Sequence, residues 1–144
     1  MRNRVKGVTL IELMTVVVIV AILASIAVPS YRRYLVRSQR TDATTALLRI
    51  SAGEEKFLVQ NGKYTIDLTS KPTDGGLGLT AVSEQGFYDL RVDLTTTGYT
   101  VTGSVKTDKG QKDDKTCRTF TVNETGKRSA LDGSSTDRTT ECWR

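Results

Sequence analysis

The chain contains 144 residues, enough for one ordinary domain, of which 38% are hydrophobic and only 6% aromatic. It has no histidine and two cysteines, which excludes histidine-dependent triads, histidine-based zinc sites and four-cysteine metal centres. The sequence contains neither a Walker-type nor a dinucleotide-binding glycine motif. We therefore expect that the protein is not an enzyme and that it binds no cofactor and no small-molecule substrate. The net charge is +5, and three of the positive charges fall in the first six residues, which leaves +2 for the rest. A charge that small gives only weak support for binding DNA.

An apolar segment follows a short basic head. Residues 1–7 are polar and carry three basic side chains, whereas residues 8–28 are apolar apart from Glu12. In a helix these 21 residues span about 30 Å, the thickness of the hydrocarbon core of a bilayer. Three interpretations are open on these residues alone: a plain membrane anchor, a secretory signal peptide cut after Ala27, and a segment in which Glu12 has its own role.

Glu12 is the one charged residue of the apolar segment. An ionised carboxylate costs roughly a few kcal/mol in a membrane, so such residues are rarely kept without a role. Thr9 and Glu12 fit a capping box, with Thr9 as the N-cap and Glu12 at the third helical position. Because Glu12 lies near the interface with water, capping and the binding of a partner are compatible.

The string from Gly7 to Leu13, together with its basic head and apolar run, resembles the processing site of type IV prepilins. The resemblance implies that a prepilin peptidase cuts between Gly7 and Val8 and then methylates the amine of Val8. Val8 departs from the Phe or Met that most members have there. The resemblance also implies that Glu12 neutralises the terminal amine of a neighbouring subunit and sets its register during assembly. In a low-dielectric environment such pairing is strongly preferred to leaving either ion alone.

The same resemblance implies a structural subunit of a type IV pilus, a filament of cell adhesion and twitching motility, and most closely a type IVa minor pilin. Such a chain first lies in the bacterial inner membrane as a single-pass protein with a cytoplasmic N-terminus. It then joins an extracellular filament whose core consists of residues 8–28. Its partners would be other pilin subunits, the prepilin peptidase and the inner-membrane assembly platform. A major pilin, a DNA-binding competence pilin and a type II secretion pseudopilin are the alternatives, with a secreted enzyme as the outlier.

The sequence predicts one interrupted helix from Thr9 to Gln60. Pro29 removes a backbone donor and is expected to kink it, the alternative being a helix that ends there. Residues 29–61 are amphipathic, and Asn61 with the following glycine forms a natural stop. The apolar stripe, which must cover a sheet, consists of Tyr31, Tyr34, Leu35, Ala43, Ala46, Leu47, Ile50 and Phe57.

Four arginines cluster just after the apolar segment. One interpretation is a solvated collar that touches lipid phosphates, and the other is contact with acidic groups on neighbouring subunits. The cluster consists of Arg32, Arg33, Arg37 and Arg40.

The remaining residues, 62–144, predict an antiparallel meander with one face to bury. We expect the helix stripe to cover that face, which gives an α+β fold of one long N-terminal helix packed on the sheet. On the first strand, Tyr88, Leu90, Val92 and Leu94 should share the buried face. The predicted elements are a loop over 63–85, strands over 87–94, 99–105 and 117–122, a polar turn over 108–114 and a short edge strand over 127–131.

Cys117 and Cys142 are the only cysteines. In a pilin-like chain the globular part lies outside the cytoplasmic membrane, where disulfides persist, so we expect a bond; two free buried thiols are the alternative. Closing the 24 intervening residues should stabilise the fold by about 3–4 kcal/mol. The resemblance implies the same bond, because pilins commonly close a C-terminal loop with one disulfide. The ending Cys142-Trp143 and the stretch 119–126 resemble type IVa minor pilins.

Two weaker motifs are interpreted as structural. Residues 123–125 form a glycosylation triplet that we read as turn chemistry. Asp108, Asp113 and Asp114 outline a calcium site, but lysines surround them, so no metal is expected.

Overall fold

The computed structural model describes residues 7–108 and 110–144. The first six residues of the predicted leader lie outside the described residues. The chain divides into two compact units after Leu35, which are described separately below.

Helix α1 runs from Leu10 to Asn61, within one residue of the predicted bounds at either end. It stops where Gly62 adopts a positive φ of 70° and donates its N–H to the carbonyl of Leu58 at 2.7 Å. Pro29 lies inside the helix, so the alternative in which the helix ends at this proline is wrong. The kink at Pro29 stays a prediction.

In the unit that ends at Leu35, every described side chain is exposed. Among the described residues, α1 is the one helix with a stretch long and apolar enough to cross a membrane. Tyr31 and Tyr34 are 62% and 69% exposed, so the expectation that they belong to the buried stripe is wrong. Burial on α1 is confined to the stretch from Asp42 to Phe57.

The second unit, Val36–Arg144, contains a four-stranded antiparallel sheet. Consecutive strands are neighbours in the order β1-β2-β3-β4, which confirms the predicted meander and the α+β fold. The third strand begins two residues later than predicted, because the N–H of Cys117 donates a hydrogen bond to Oδ1 of Asp114 instead of to the backbone of a neighbouring strand. The strands are β1 (Tyr88–Leu94), β2 (Tyr99–Val105), β3 (Thr119–Asn123) and β4 (Arg128–Leu131).

Gly103 lies at the centre of the sheet, opposite Leu90 on β1 and Phe120 on β3. A Cβ at this position would lie 2.7 Å from Cδ1 of Leu47, so the glycine lets α1 approach the sheet closely. Leu94 was expected on the buried face but is 49% exposed; it is the last residue of β1 and lies next to the turn over 95–98 that leads into β2. The helix contributes Ala43, Leu47, Ile50 and Phe57 to the core.

The predicted polar turn over 108–114 is wrong in part, because two of its polar side chains are buried. A short 3₁₀ helix, Gly110–Asp113, turns Gln111 inward, and Asp114 is 2% exposed. Arg40 donates from Nε to Oδ2 of Asp114 at 2.7 Å and from Nη2 to Oδ1 at 3.0 Å. Arg40 is thus held within its own chain and does not belong to an outward-facing collar.

A disulfide joins Cys117 to Cys142, as predicted, with the two Cα atoms 5.8 Å apart. A short helix, α2 (Thr139–Cys142), presents the second cysteine. The next residue, Trp143, donates its indole N–H to the carbonyl of Ser129 at 2.8 Å and packs edge-on against Phe120. The cystine and the indole together hold the segment after β4 on the end of the sheet.

Candidate processing and assembly site

The residues predicted for leader cleavage lie just before the first helical turn. Gly7 and Val8 precede α1, whose first residue is Leu10, and both are exposed. A Cβ built on Gly7 would meet no atom within 4 Å. A peptidase must bind the chain around the bond that it cuts, and the two residues that flank the predicted cut are both exposed.

Thr9 and Glu12 form reciprocal capping contacts at the start of α1. The backbone N–H of Thr9 donates to Oε2 of Glu12 at 2.9 Å, and the Thr9 hydroxyl donates to the same oxygen at 2.8 Å. In return the N–H of Glu12 donates to the Thr9 hydroxyl at 3.3 Å. This pattern satisfies amide groups that have no partner in the first helical turn, and it fixes the rotamer of Glu12.

The segment 8–28 surrounds Glu12 with exposed apolar side chains on every face of the helix. Val8, Leu10 and Ile11 are 69–78% exposed. Burying one such side chain is worth roughly 1.5–3 kcal/mol, so the segment is stable only inside a bilayer or against other helices. In either apolar environment an ionised Glu12 is costly alone and is stabilised by a cationic partner.

Buried acids in the second unit were not recognised in the sequence. Glu54 is fully buried and accepts a hydrogen bond from the N–H of Thr65 at 3.1 Å. Burial raises the pKa of Glu54, the Thr65 amide opposes this, and the neighbouring Glu55 carboxylate adds to the rise. A signal existed, because Glu54 occupies the apolar stripe at helical spacing between Ile50 and Phe57.

The calcium interpretation finds no support in the geometry. Within the described ranges, no group of three histidine, cysteine or acidic residues is placed to hold a metal ion. Both oxygens of Asp114 accept hydrogen bonds from Arg40, which places a cation where a metal would have to lie. The side chain of Asn123 accepts hydrogen bonds from Thr125 and from the N–H of Lys127, so the glycosylation triplet forms the turn that was expected.

Two family models match the chain. Residues 2–28 match the prokaryotic N-terminal methylation motif. Residues 29–121, more than half of the chain, match the model described as type IV minor pilin ComP, DNA uptake sequence receptor.

Individual relatives are fimbrial subunits. A fimbrial protein of Pseudomonas aeruginosa is 39% identical over 75 residues, which cover 52% of this chain and 49% of the relative. The type IV major alpha-pilin of Moraxella bovis is 32% identical over 104 residues, covering 71% and 65%. The type IV major fimbrial protein FimA of Dichelobacter nodosus is 37% identical over 105 residues, covering 58% and 67%. The chain spans about half the length of the first of these curated relatives.

The matches agree with the architecture described above. The long helix α1, the antiparallel meander and the Cys117–Cys142 disulfide are the parts that the family resemblance implied. The methylation motif and the pilin model together extend from residue 2 to residue 121. The chain therefore belongs to the type IV pilin family.

Proposed function

We propose that this chain is a minor subunit of a type IV pilus, made as a prepilin and cut between Gly7 and Val8. The observation that carries the proposal is the match of residues 29–121 to a minor pilin model, directly after a methylation motif. The accessible peptide before α1 supports cleavage, and the exposed apolar segment 8–28 supports storage in the inner membrane before assembly. The family consists of structural subunits, and we assign this chain no catalytic role.

Glu12 would set the axial position of the subunit relative to its neighbour as the subunit enters the filament. Both hydrogen bonds that Glu12 accepts from Thr9 go to Oε2, so the geometry favours Oε1 as the atom that meets a cation. Cleavage after Gly7 creates a terminal amine at Val8, and the amine of a neighbouring subunit would supply that cation. The pair would form only when neighbouring helices have the correct offset, because each ion is costly alone in an apolar core.

The intact mass and N-terminal sequence of the membrane-extracted protein, with and without reductant, test the processing. We expect a chain that starts at Val8, carries one methyl group and gains two protons on reduction of the cystine. Gly7→Val should leave the leader attached, because a β-branched side chain stands at the cut, whereas Ala27→Val should change nothing. A chain that starts at Val28 would identify an ordinary secreted domain and would contradict the filament proposal.

Counting subunits in sheared pili separates a minor from a major pilin. We expect this chain in the pilus fraction at a small proportion of the most abundant pilin. If it is itself the most abundant subunit, the assignment as a minor pilin is wrong while the assignment as a filament subunit stands.

The printed description of the family model favours a second candidate function, the binding of DNA. On the described surface, the guanidinium of Arg128 lies 5.2 Å from the centre of the Trp143 ring, and Lys127 is exposed beside it. Cations neutralise phosphates and aromatic faces stack on bases, so this patch combines the two chemistries that nucleic acid binding uses.

A mobility shift with the full-length protein in detergent tests this second function. We expect binding of duplex DNA at low salt that weakens as salt is raised, because phosphate contacts release counterions. Replacing Lys127 and Arg128 by glutamate should abolish the shift, whereas Arg91→Glu on the opposite edge strand should not. Absence of binding at low salt would contradict a DNA receptor.

A further inference from the structure

Residues 62–79, the first part of the connection between α1 and β1, are tied together by their own hydrogen bonds. The N–H of Leu77 donates to the carbonyl of Asp67 at 2.9 Å, and the N–H of Leu79 donates to the carbonyl of Leu68 at 2.7 Å. The side chain of Leu68 is buried in the core. Because the segment 62–79 is internally bonded, the contacts that attach it to α1 decide how easily it opens as one piece.

Packing and a hydrogen bond attach the segment 62–79 to the last turns of α1. A Cβ built on Gly53 would lie 3.6 Å from a methyl carbon of Leu77 and 3.6 Å from one of Leu79, so the two leucines pack directly on the helix there. The next residue, Glu54, makes the polar contact, because its Oε2 accepts a hydrogen bond from the N–H of Thr65 at 3.1 Å. The Glu54 carboxyl therefore lies where the helix and the segment meet.

The burial of Glu54 is poorly compensated for a charged group. Its side chain is fully buried, and its Oε1 has no hydrogen-bond partner among the described residues. A buried oxygen that is charged and lacks a donor costs much more free energy than a neutral carboxyl in the same place. The site therefore favours the protonated acid, and burial raises the pKa of Glu54 above its ordinary value.

The groups around Glu54 do not offset a negative charge. Within the part of the chain that the structure describes, the ion pairs do not include Glu54 or Glu55. The adjacent Glu55 carboxylate raises the pKa of Glu54 further. Burial raises the pKa of Tyr64 and raises that of Tyr99 to about 12, so both rings stay neutral near pH 7. The titratable groups gathered at this end of α1 are Glu55 on the helix, Tyr64 on the segment, Tyr99 on β2 and Glu124 after β3.

We propose that Glu54 is a proton-dependent latch for the segment 62–79. While the carboxyl holds its proton, the segment stays closed on α1. When the proton passes to water, the carboxylate gains hydration only if the segment lifts from the helix, so the segment opens more often as the pH rises. The inference does not rest on the proposed function, because helix, segment and sheet belong to the same unit of one chain.

Carbon-13 NMR of the full-length protein in detergent micelles measures the titration of the Glu54 carboxyl directly. The exposed carboxyl of Glu84 gives a reference titration in the same sample. We expect the midpoint of Glu54 to lie above the ordinary value of 4.5. A midpoint at or below that value would overturn the inference.

Amide hydrogen exchange at residue resolution, corrected for the intrinsic pH dependence of exchange, tests the opening itself. Above pH 4.5 the open state gives up a proton that the closed state keeps. The opening constant of the Thr65, Leu77 and Leu79 amides should therefore rise by up to about tenfold per pH unit and level off at the Glu54 midpoint. At every pH these amides should open more often than those of β2. Equal protection in the segment and in β2 would mean that only global unfolding exposes Glu54, which would refute the latch.

A matched pair of variants assigns the pH dependence to one carboxyl. Glu54→Gln keeps the shape of the neutral acid but cannot ionise, so exchange in the segment should become independent of pH. Glu84→Gln removes an exposed carboxylate outside the segment and should leave the native pH dependence unchanged. A pH dependence that persists in Glu54→Gln would overturn the inference. If Glu54→Gln does not fold, the titration and the exchange of the native chain still decide the question.

Discussion

Replacing Asp114 by alanine removes the carboxylate that joins α1 to the segment before the disulfide. Its oxygens accept five hydrogen bonds at 2.7–3.1 Å: two from Arg40, one from Gln111 and one each from the N–H groups of Thr116 and Cys117. The side chains of Asp114 and Arg40 are 1% and 11% exposed, so water cannot replace these partners without rearrangement.

The expected loss of stability is large because both charge and hydrogen bonds are affected. Removing one partner of a buried ion pair typically costs about 3–5 kcal/mol, since the other charge is left unpaired. We expect about 4 kcal/mol for Asp114→Ala and about 2 kcal/mol for Asp114→Asn, which keeps one carbonyl acceptor for the two backbone amides. Arg40→Ala should cost less than Asp114→Ala, because Asp114 then retains three donors.

Urea unfolding of the full-length protein in detergent, followed by near-UV circular dichroism, measures these losses. The two single variants and the double variant form a cycle in which the coupling should exceed about 1 kcal/mol, since the residues are in direct contact. A loss below about 1 kcal/mol for Asp114→Ala, or additivity in the cycle, would refute the conclusion that this pair fastens α1 to the cystine segment.

Three further substitutions test the packing at Gly103, the disulfide and the hydrogen-bonded carboxylate of Asp67. Gly103→Ala should lower the free energy of unfolding in urea by about 1–3 kcal/mol, because the added Cβ meets Leu47. The double variant with Leu47→Ala should lose less stability than the sum of the two single losses, and additive losses would contradict the steric overlap of the two side chains. Cys142→Ser should cost about 3–4 kcal/mol, and reductant should lower the unfolding midpoint of the native protein but not of the variant. Hydrogen bonds from the side chain and the N–H of Ser70, and then from the N–H of Thr69, lower the pKa of Asp67 to about 2. Its contribution is therefore complete above the ordinary value near 4 and is lost as the pH falls through about 2. Asp67→Ala should thus destabilise the protein more at pH 6 than at pH 2, and a loss of stability independent of pH would contradict this.

The elements that were predicted well are those set by local pattern. The bounds of α1 follow from its apolar run and from the stop at Asn61, and β2 has the predicted bounds because its apolar residues alternate between two turns. The Thr9–Glu12 capping contacts are also local, since the two residues are one helical turn apart. Residue spacing alone was enough in each case.

The features that were missed depend on contacts between distant parts of the chain. Arg40 and Asp114 are 74 residues apart, and nothing in either neighbourhood indicates that they meet. The stripe was extended to Tyr31 because amphipathic spacing does not show where a sheet stops covering a helix. The burial of Asp42 was missed for the same reason, since its Oδ2, which has no hydrogen-bond partner among the described residues, is covered by parts of the chain that are distant in sequence.

The position of the second cysteine in chain order has a consequence for folding. Cys142 comes after β4, so a ribosome completes all four strands before it adds the thiol that closes the bond. Because each strand of the meander pairs with the one made just before it, the sheet can form progressively from short-range contacts during synthesis. The bond can close only after residue 142 has been added, so a chain cut short before Cys142 lacks the cystine even when all four strands are present.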